Sequence, residues 1–186
     1  YLGFNANMLA NEMFLDSASL RSSIVSHAKT LGYVPTSARA AKATVDVTLN
    51  TNDTTATMSS GTVFNTTVND VSYQFSTITD VTKSNTGNSI PFVGIDIYEG
   101  TFITTRYTVD SSDIDQRFVL TDNRADTSTL IVKVQTSSTD SSSNTFTEAT
   151  DITQVAGGSN VYFLQEVEAG LFEIYFGDGI IGTALS

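Results

Sequence analysis

Residues 161–186 read VYFLQEVEAGLFEIYFGDGIIGTALS, the densest run of large apolar and aromatic side chains in the chain. Phe172, Ile174 and Phe176 alternate with Leu171, Glu173 and Tyr175. That period of two gives a β-strand one strongly apolar face. Val161 to Val167 is rich in β-formers and predicts a second strand. Glu168-Ala169-Gly170 lies between them, and Gly170 supplies the positive φ of a tight connection. The stretch therefore predicts a β-hairpin that runs into a glycine-rich turn, Phe176-Gly177-Asp178-Gly179-Ile180-Ile181-Gly182.

Gly177, Gly179 and Gly182 match G-x-G-x-x-G and follow a strand. That pattern binds a dinucleotide only where a helix opens at the third glycine, its N-terminus facing the pyrophosphate. The sequence runs only to Ser186, so no such helix is shown, and the strand belongs to a hairpin, not to a βαβ unit. The acidic residue that would hold the ribose, about 20 positions on, has no counterpart. Asp178 would set a negative charge beside the phosphate, and no Gly-Lys-Ser/Thr follows as in a Walker loop. A sharp turn at the end of a buried strand is the preferred reading, and no cofactor is expected.

Working outward, 186 residues leave room for one large domain or two small ones, and a hydrophobic fraction of 40% suffices for a packed core. Heavy use of Thr, Ser, Asn and Asp with only two prolines favours strands and turns over helices. The net charge of -11 repels phosphate backbones and anionic lipid, so neither nucleic acid nor a membrane is an expected partner. No apolar run is long enough to span a bilayer. The absence of cysteine rules out disulfides, thiolate metal sites and a cysteine nucleophile. The chain starts with Tyr, so it reads as an internal piece, and the lack of a signal peptide is uninformative.

Helical spacing is confined to residues 5–32. Asp16 or Ser17 is placed to cap a helix over 17–31, with Leu20, Ile24 and Leu31 on one stripe and Ala28 at its edge. Gly32 suits a C-cap and Pro35 blocks continuation. Met8, Leu9, Met13 and Phe14 form a further short apolar piece, helical or irregular, and are candidate contacts for a neighbour. His27, the one histidine, falls on the helical stripe and reads as a half-buried structural residue. It sits mid-helix with no nucleophile elbow elsewhere, so a Ser-His-Asp triad is not supported.

From Ala43 the period is two. Val45, Val47 and Leu49 mark one strand, Thr62 to Phe64 and Ser72 to Ile78 two more, with Tyr73 and Phe75 on one face. Thr51 to Thr54 and Ser84 to Asn88 read as turn and loop. Val93, Ile95 and Ile97 alternate, Glu99-Gly100 turns the chain, and Ile103, Tyr107 and Val109 continue on a partner strand. Asp110-Ser111-Ser112-Asp113-Ile114-Asp115 lacks the glycine and terminal glutamate of a calcium loop, so a solvated turn is expected, not a metal site. Arg117 to Leu120 and Leu130 to Val134 are further strands, and Thr136 to Asn144 is a mobile surface loop. The fold class this predicts is α+β, mainly β: an N-terminal helical segment over 1–35, then an antiparallel β-rich domain over 36–186, sandwich-like or mixed-sheet, either whole or divided near 110.

Three blocks together carry a resemblance. They are Leu15 to Leu20 running on to Lys29-Thr30-Leu31-Gly32-Tyr33-Val34-Pro35; Gln116 to Leu120 with Ala125 to Leu130; and Val161 to Leu164 with Glu173-Ile174-Tyr175-Phe176-Gly177-Asp178-Gly179. Over essentially its whole length the chain resembles the baseplate wedge protein of contractile-tailed (myovirus) phages, in the baseplate J-like family. The F-G-D-G-x-x-G block, Phe176, Gly177, Asp178, Gly179 and Gly182, is its most specific part. The resemblance implies a viral structural protein of the virion that is not an enzyme, binds no small-molecule substrate and is assembled in the host cytoplasm. It implies pairing with itself, as dimer or ring, and with other wedge proteins around the central hub of the phage tail, in a contractile tail whose ring rearranges with the sheath. The alternative is a secreted β-sandwich adhesin or carbohydrate-binding module, which the acceptor-like triplets Asn52-Asp53-Thr54 and Asn65-Thr66-Thr67 would suit.

Overall fold

The computed structural model describes residues 2–33, 35–113, 115–137, 139–167 and 170–185. The chain forms two compact units, one of residues 1–38 with 107–186 and the other of residues 39–106. The fold is α+β and mainly β, with helix at the N-terminus. The helical segment shares its unit with 107–186, and the second boundary falls at Arg106/Tyr107, near the division considered at 110.

Helix α1 spans Leu2–Glu12 and α2 spans Arg21–Thr30. The expected start of α2 at Asp16 or Ser17 is corrected: its N-cap position is Leu20, which offers no side-chain cap. Glu12 does that work from outside. Its carboxylate accepts the Ser19 N–H at 3.0 Å, the Ser19 hydroxyl at 2.7 Å and the Leu20 N–H at 3.2 Å. An anion there also meets the positive end of the helix dipole. The Ser17 hydroxyl turns back to the Asn11 carbonyl instead.

The apolar stripe is corrected as well. Val25 is the buried residue of α2, while the predicted stripe residues Leu20, Ile24 and Leu31 are 46%, 38% and 75% exposed. The later start explains this, because Leu20 and Leu31 then flank the helix instead of lying on its inner face. The C-terminus matches the expectation. Gly32 (φ 76°) donates to the Lys29 carbonyl and Tyr33 to the Ala28 carbonyl, both at 3.0 Å. Those two bonds make a Schellman motif, which needs a left-handed residue at Gly32.

In the unit of residues 39–106, β1 (Lys42–Asn50), β3 (Val63–Val68), β4 (Val71–Ser76) and β6 (Ser89–Glu99) form an antiparallel sheet in the order β1-β6-β4-β3. A separate ribbon pairs β2 (Thr55–Met58) with β5 (Val81–Ser84); both are short, and in β2 Ala56 and Met58 alternate with exposed threonines. Asn69 and Asp70 join β3 to β4 with both φ values positive, as a two-residue type I′ hairpin requires. Met58, Ile90, Phe92, Ile95 and Ile97 make the core.

Two sequence readings fail in this region. Val93 is 66% exposed, whereas Ile90, Phe92, Ile95 and Ile97 are buried. The register slips between Val45 and Val47, so Val93 and Gly94 together face Asp46. Gly94 takes φ 70°, and its N–H is held by the Asp46 carboxylate at 2.7 Å. That bulge shifts the inward set by one residue. The expected strand through Ile103, Tyr107 and Val109 does not form; residues 101–110 are irregular, and β6 pairs instead with β1 and β4.

In the other unit, β7 (Phe118–Val119), β8 (Val132–Gln135), β9 (Ser143–Glu148), β10 (Val161–Glu166) and β11 (Phe172–Phe176) form a mixed sheet in the order β7-β11-β10-β9-β8. Among the described strands of this sheet, β9 and β10 run parallel and the other pairs antiparallel. The predicted hairpin is β10–β11, with Tyr162 opposite Phe176 and Glu166 opposite Phe172. Gly170 has the positive φ expected of it (79°), while Glu168 and Ala169 lie outside the described residues. The loop expected to reach Asn144 ends earlier, because β9 starts at Ser143. Phe118, Phe146, Tyr162 and Ile174 form the core, with Phe176 edge-on to Phe118 at 5.8 Å and to Phe146 at 5.3 Å.

Candidate functional site

The glycine-rich stretch leaves β11 as a loop closed on itself. Asp178 Oδ1 accepts the N–H groups of Ile180 and Ile181, each at 2.9 Å. Those two bonds, that of Ile181 first, hold its carboxyl below the usual aspartate range. The Gly179 N–H donates to the Gly182 carbonyl at 3.0 Å, and the Gly182 N–H to the Ala156 carbonyl at 3.2 Å. Gly179 and Gly182 hold φ values of 90° and 80°. A Cβ on Gly177 would lie 2.1 Å from the Ile181 oxygen, and one on Gly157 would lie 2.3 Å from the Gly179 oxygen. Backbone therefore touches backbone both within the loop and between it and residues 156–159.

This decides the chemistry of the G-x-G-x-x-G pattern. A phosphate would need the amides of Gly179, Ile180, Ile181 or Gly182, and each is already spent on the protein's own oxygens. The Asp178 carboxylate takes the place an anion would take. Phe176 anchors the loop in the core, while Ile180 at its tip is 78% exposed.

The carboxylates at 110–115 are likewise committed locally. Asp110 accepts the Ser112 N–H at 3.0 Å and its hydroxyl at 2.6 Å, and Asp113 accepts the Asp115 N–H at 3.0 Å. Ile114 lies outside the described residues. Among the described residues no group of three or more His, Asp or Glu side chains could hold a metal ion. His27 is half-buried, and its Nε2–H donates to the Glu12 carbonyl at 2.9 Å, tying α2 to the end of α1.

The candidate contacts share one exposed run. Met8, Leu9, Met13 and Phe14 are 47%, 72%, 65% and 66% exposed. No family model matches this chain, and no curated protein matches it. The surface must therefore be judged on its physics. Residues 1–38 carry Glu12 and Asp16 against Arg21 and Lys29, so they have no net charge, and the whole of -11 lies in residues 39–186. The apolar run thus belongs to the one electrically neutral part of the protein.

Sequence reasoning missed what holds that part in place. Glu166 is 1% exposed, and its carboxylate receives the Arg21 Nε–H at 2.8 Å and Nη2–H at 2.9 Å. Lys29 Nζ donates to the Glu166 carbonyl. The one available signal is that Glu166 follows Tyr162 and Leu164 at even spacing, on the inward side of β10. On the opposite side of the sheet, Arg117 lies over the Tyr175 ring at 4.4 Å and bonds Glu173 at 3.2 Å, while Tyr175 stacks on Phe163 at 5.1 Å. A small groove of about 400 Å³, lined by Ile24, Val25, Ala28, Tyr33 and Pro35 with Arg21, was also not foreseen.

Proposed function

We propose that this chain is part of a structural protein of a phage tail baseplate wedge, one that assembles with itself and with other wedge proteins in the ring around the hub. The resemblance over the F-G-D-G-x-x-G block is its starting point. The observation that carries it is the exposed run from Met8 to Phe14 in a neutral segment of an otherwise strongly acidic chain. Large apolar side chains left exposed along one short segment favour an interaction site. A loop whose amides are all internally satisfied suits a building part better than a nucleotide enzyme.

The role needs no catalytic group. It needs units that keep their internal packing while their contacts change, since packed cores switch between discrete arrangements and do not deform continuously. The test is localisation. Antibody raised against this chain is applied to purified virions with extended and with contracted tails. Gold at the baseplate in both states is the expected result. Absence of label on intact and disrupted particles would overturn the reading, and binding on a glycan array would then favour the adhesin alternative.

A further inference from the structure

We propose that Met8 and Met13 are sites of reversible two-electron oxidation by a hydroperoxide, and that their sulfoxides switch off the apolar contact run on which they lie. The consequence for assembly rests on the proposed function; the oxidation itself does not.

Sulfur is scarce in this chain. It has no cysteine and three methionines, so no thiolate competes for an oxidant. The fold then sorts the three thioethers. Met58 is 9% exposed and packs in the core with Ile90, Phe92, Ile95 and Ile97. Met8 and Met13 are 47% and 65% exposed. Met8 lies on α1, where the side chains from Asn5 to Asn11 are all exposed, and Met13 follows in the turn that leaves the helix. A small solute reaches both in the folded chain, whereas it reaches Met58 only through local opening of the core.

The electron balance is simple. A lone pair of the thioether sulfur attacks one peroxide oxygen. The S–O bond forms as the O–O bond breaks, and the departing oxygen takes the proton of the transferred one and leaves as water. Sulfur loses two electrons and the peroxide gains them. Methionine sulfoxide reductases reverse the step, with a dithiol as reductant that ends as a disulfide while the oxygen leaves as water.

The position of these two residues gives the reaction its effect. Residues 2–11 carry no charged side chain, so the affinity of this run for another surface is set by its apolar groups, Met8, Leu9, Met13 and Phe14. Half of those groups are thioethers. Oxidation turns each into a polar, chiral sulfoxide. Its oxygen accepts hydrogen bonds from water, and burying it without a donor is costly. Met58 stays reduced, so the contact changes while the core packing does not.

The purified chain, treated with graded hydrogen peroxide and mapped peptide by peptide in a mass spectrometer, tests this. Met8 and Met13 are expected to gain oxygen at least about 10-fold faster than Met58, the ratio that even a shallow opening equilibrium imposes. Retention on a hydrophobic-interaction column is expected to fall with oxidation and to return after treatment with both reductases, one for each sulfoxide epimer. Met8→Leu with Met13→Leu keeps the run apolar and is expected to keep its retention in peroxide; near-UV circular dichroism checks that its fold is intact. Met58 oxidised as fast as the other two, an exposed methionine that resists, unchanged retention of the doubly oxidised chain, or the same loss of retention in the double variant would each overturn the proposal. A chain that oxidises as expected but is absent from virions refutes the baseplate reading alone, and a chain found at the baseplate that resists oxidation refutes this proposal alone.

Discussion

Replacing Arg21 by Ala should loosen the helical segment from the sheet, and the size of the effect follows from the geometry. Glu166 is almost wholly buried, at 1% exposure, while Arg21 remains 60% exposed. The pair makes two parallel charge-assisted bonds, at 2.8 and 2.9 Å. Breaking a fully buried pair from one side costs about 3–5 kcal/mol, because the remaining charge is left uncompensated. Water reaches the arginine end, so the loss here is smaller, roughly 2–3 kcal/mol. In a chain of this size that corresponds to a fall in Tm of roughly 4–12 °C for the unit containing the helices.

The control separates packing from charge. Arg21→Met with Glu166→Leu removes both partners and with them the buried Glu166 carboxylate, so the double variant should recover most of the loss. Urea unfolding monitored by near-UV circular dichroism, with the four proteins of the cycle, gives the coupling directly. A loss below about 0.5 kcal/mol for Arg21→Ala, the range of ordinary surface changes, would refute the claim that this pair is the tether.

Gly177→Ala should destabilise by roughly 3 kcal/mol or block folding of the loop, since the new Cβ meets the Ile181 carbonyl and no rotamer relieves it; the amide resonances of Ile180 and Ile181 report the loss. Val93→Asp should change stability by no more than about 0.5 kcal/mol, whereas Ile95→Ala should cost about 2–5 kcal/mol, and equal effects in chemical denaturation would contradict the bulge. Glu12 titrates at about 2, lowered first by the Ser19 N–H, then by the Ser23 and Ser19 hydroxyls. A depressed folded value means that its contribution is complete above the ordinary glutamate pKa and is lost as pH falls toward 2. The Ser19 and Leu20 amide shifts should therefore stay constant down to about pH 3 and move with a midpoint at about 2; a midpoint near 4.3 would remove the capping role.

Where the sequence could be read, the determining interactions are local. The β10–β11 hairpin shows as alternation from Val161 to Phe176, and Gly32 shows as a helix stop because a left-handed residue is needed there. The misses have one physical cause. Glu12 caps a helix from seven residues away, Asp46 holds a bulge from 48 away, and Glu166 anchors an arginine 145 away. Of these partners Glu166 alone leaves a periodic trace, its even spacing from Tyr162 and Leu164 on β10. A single isolated glycine, Gly94, was the one clue that the parity of β6 would break. Asp178 shows how a near partner resolves an ambiguous local pattern, and its charge was legible in the sequence. The glycines of 177–182 admit both a phosphate cradle and a closed turn, and one carboxylate two residues from the Ile180 amide decides between them. An anion supplied by the chain itself is present at every encounter, so the loop needs no ligand to be complete.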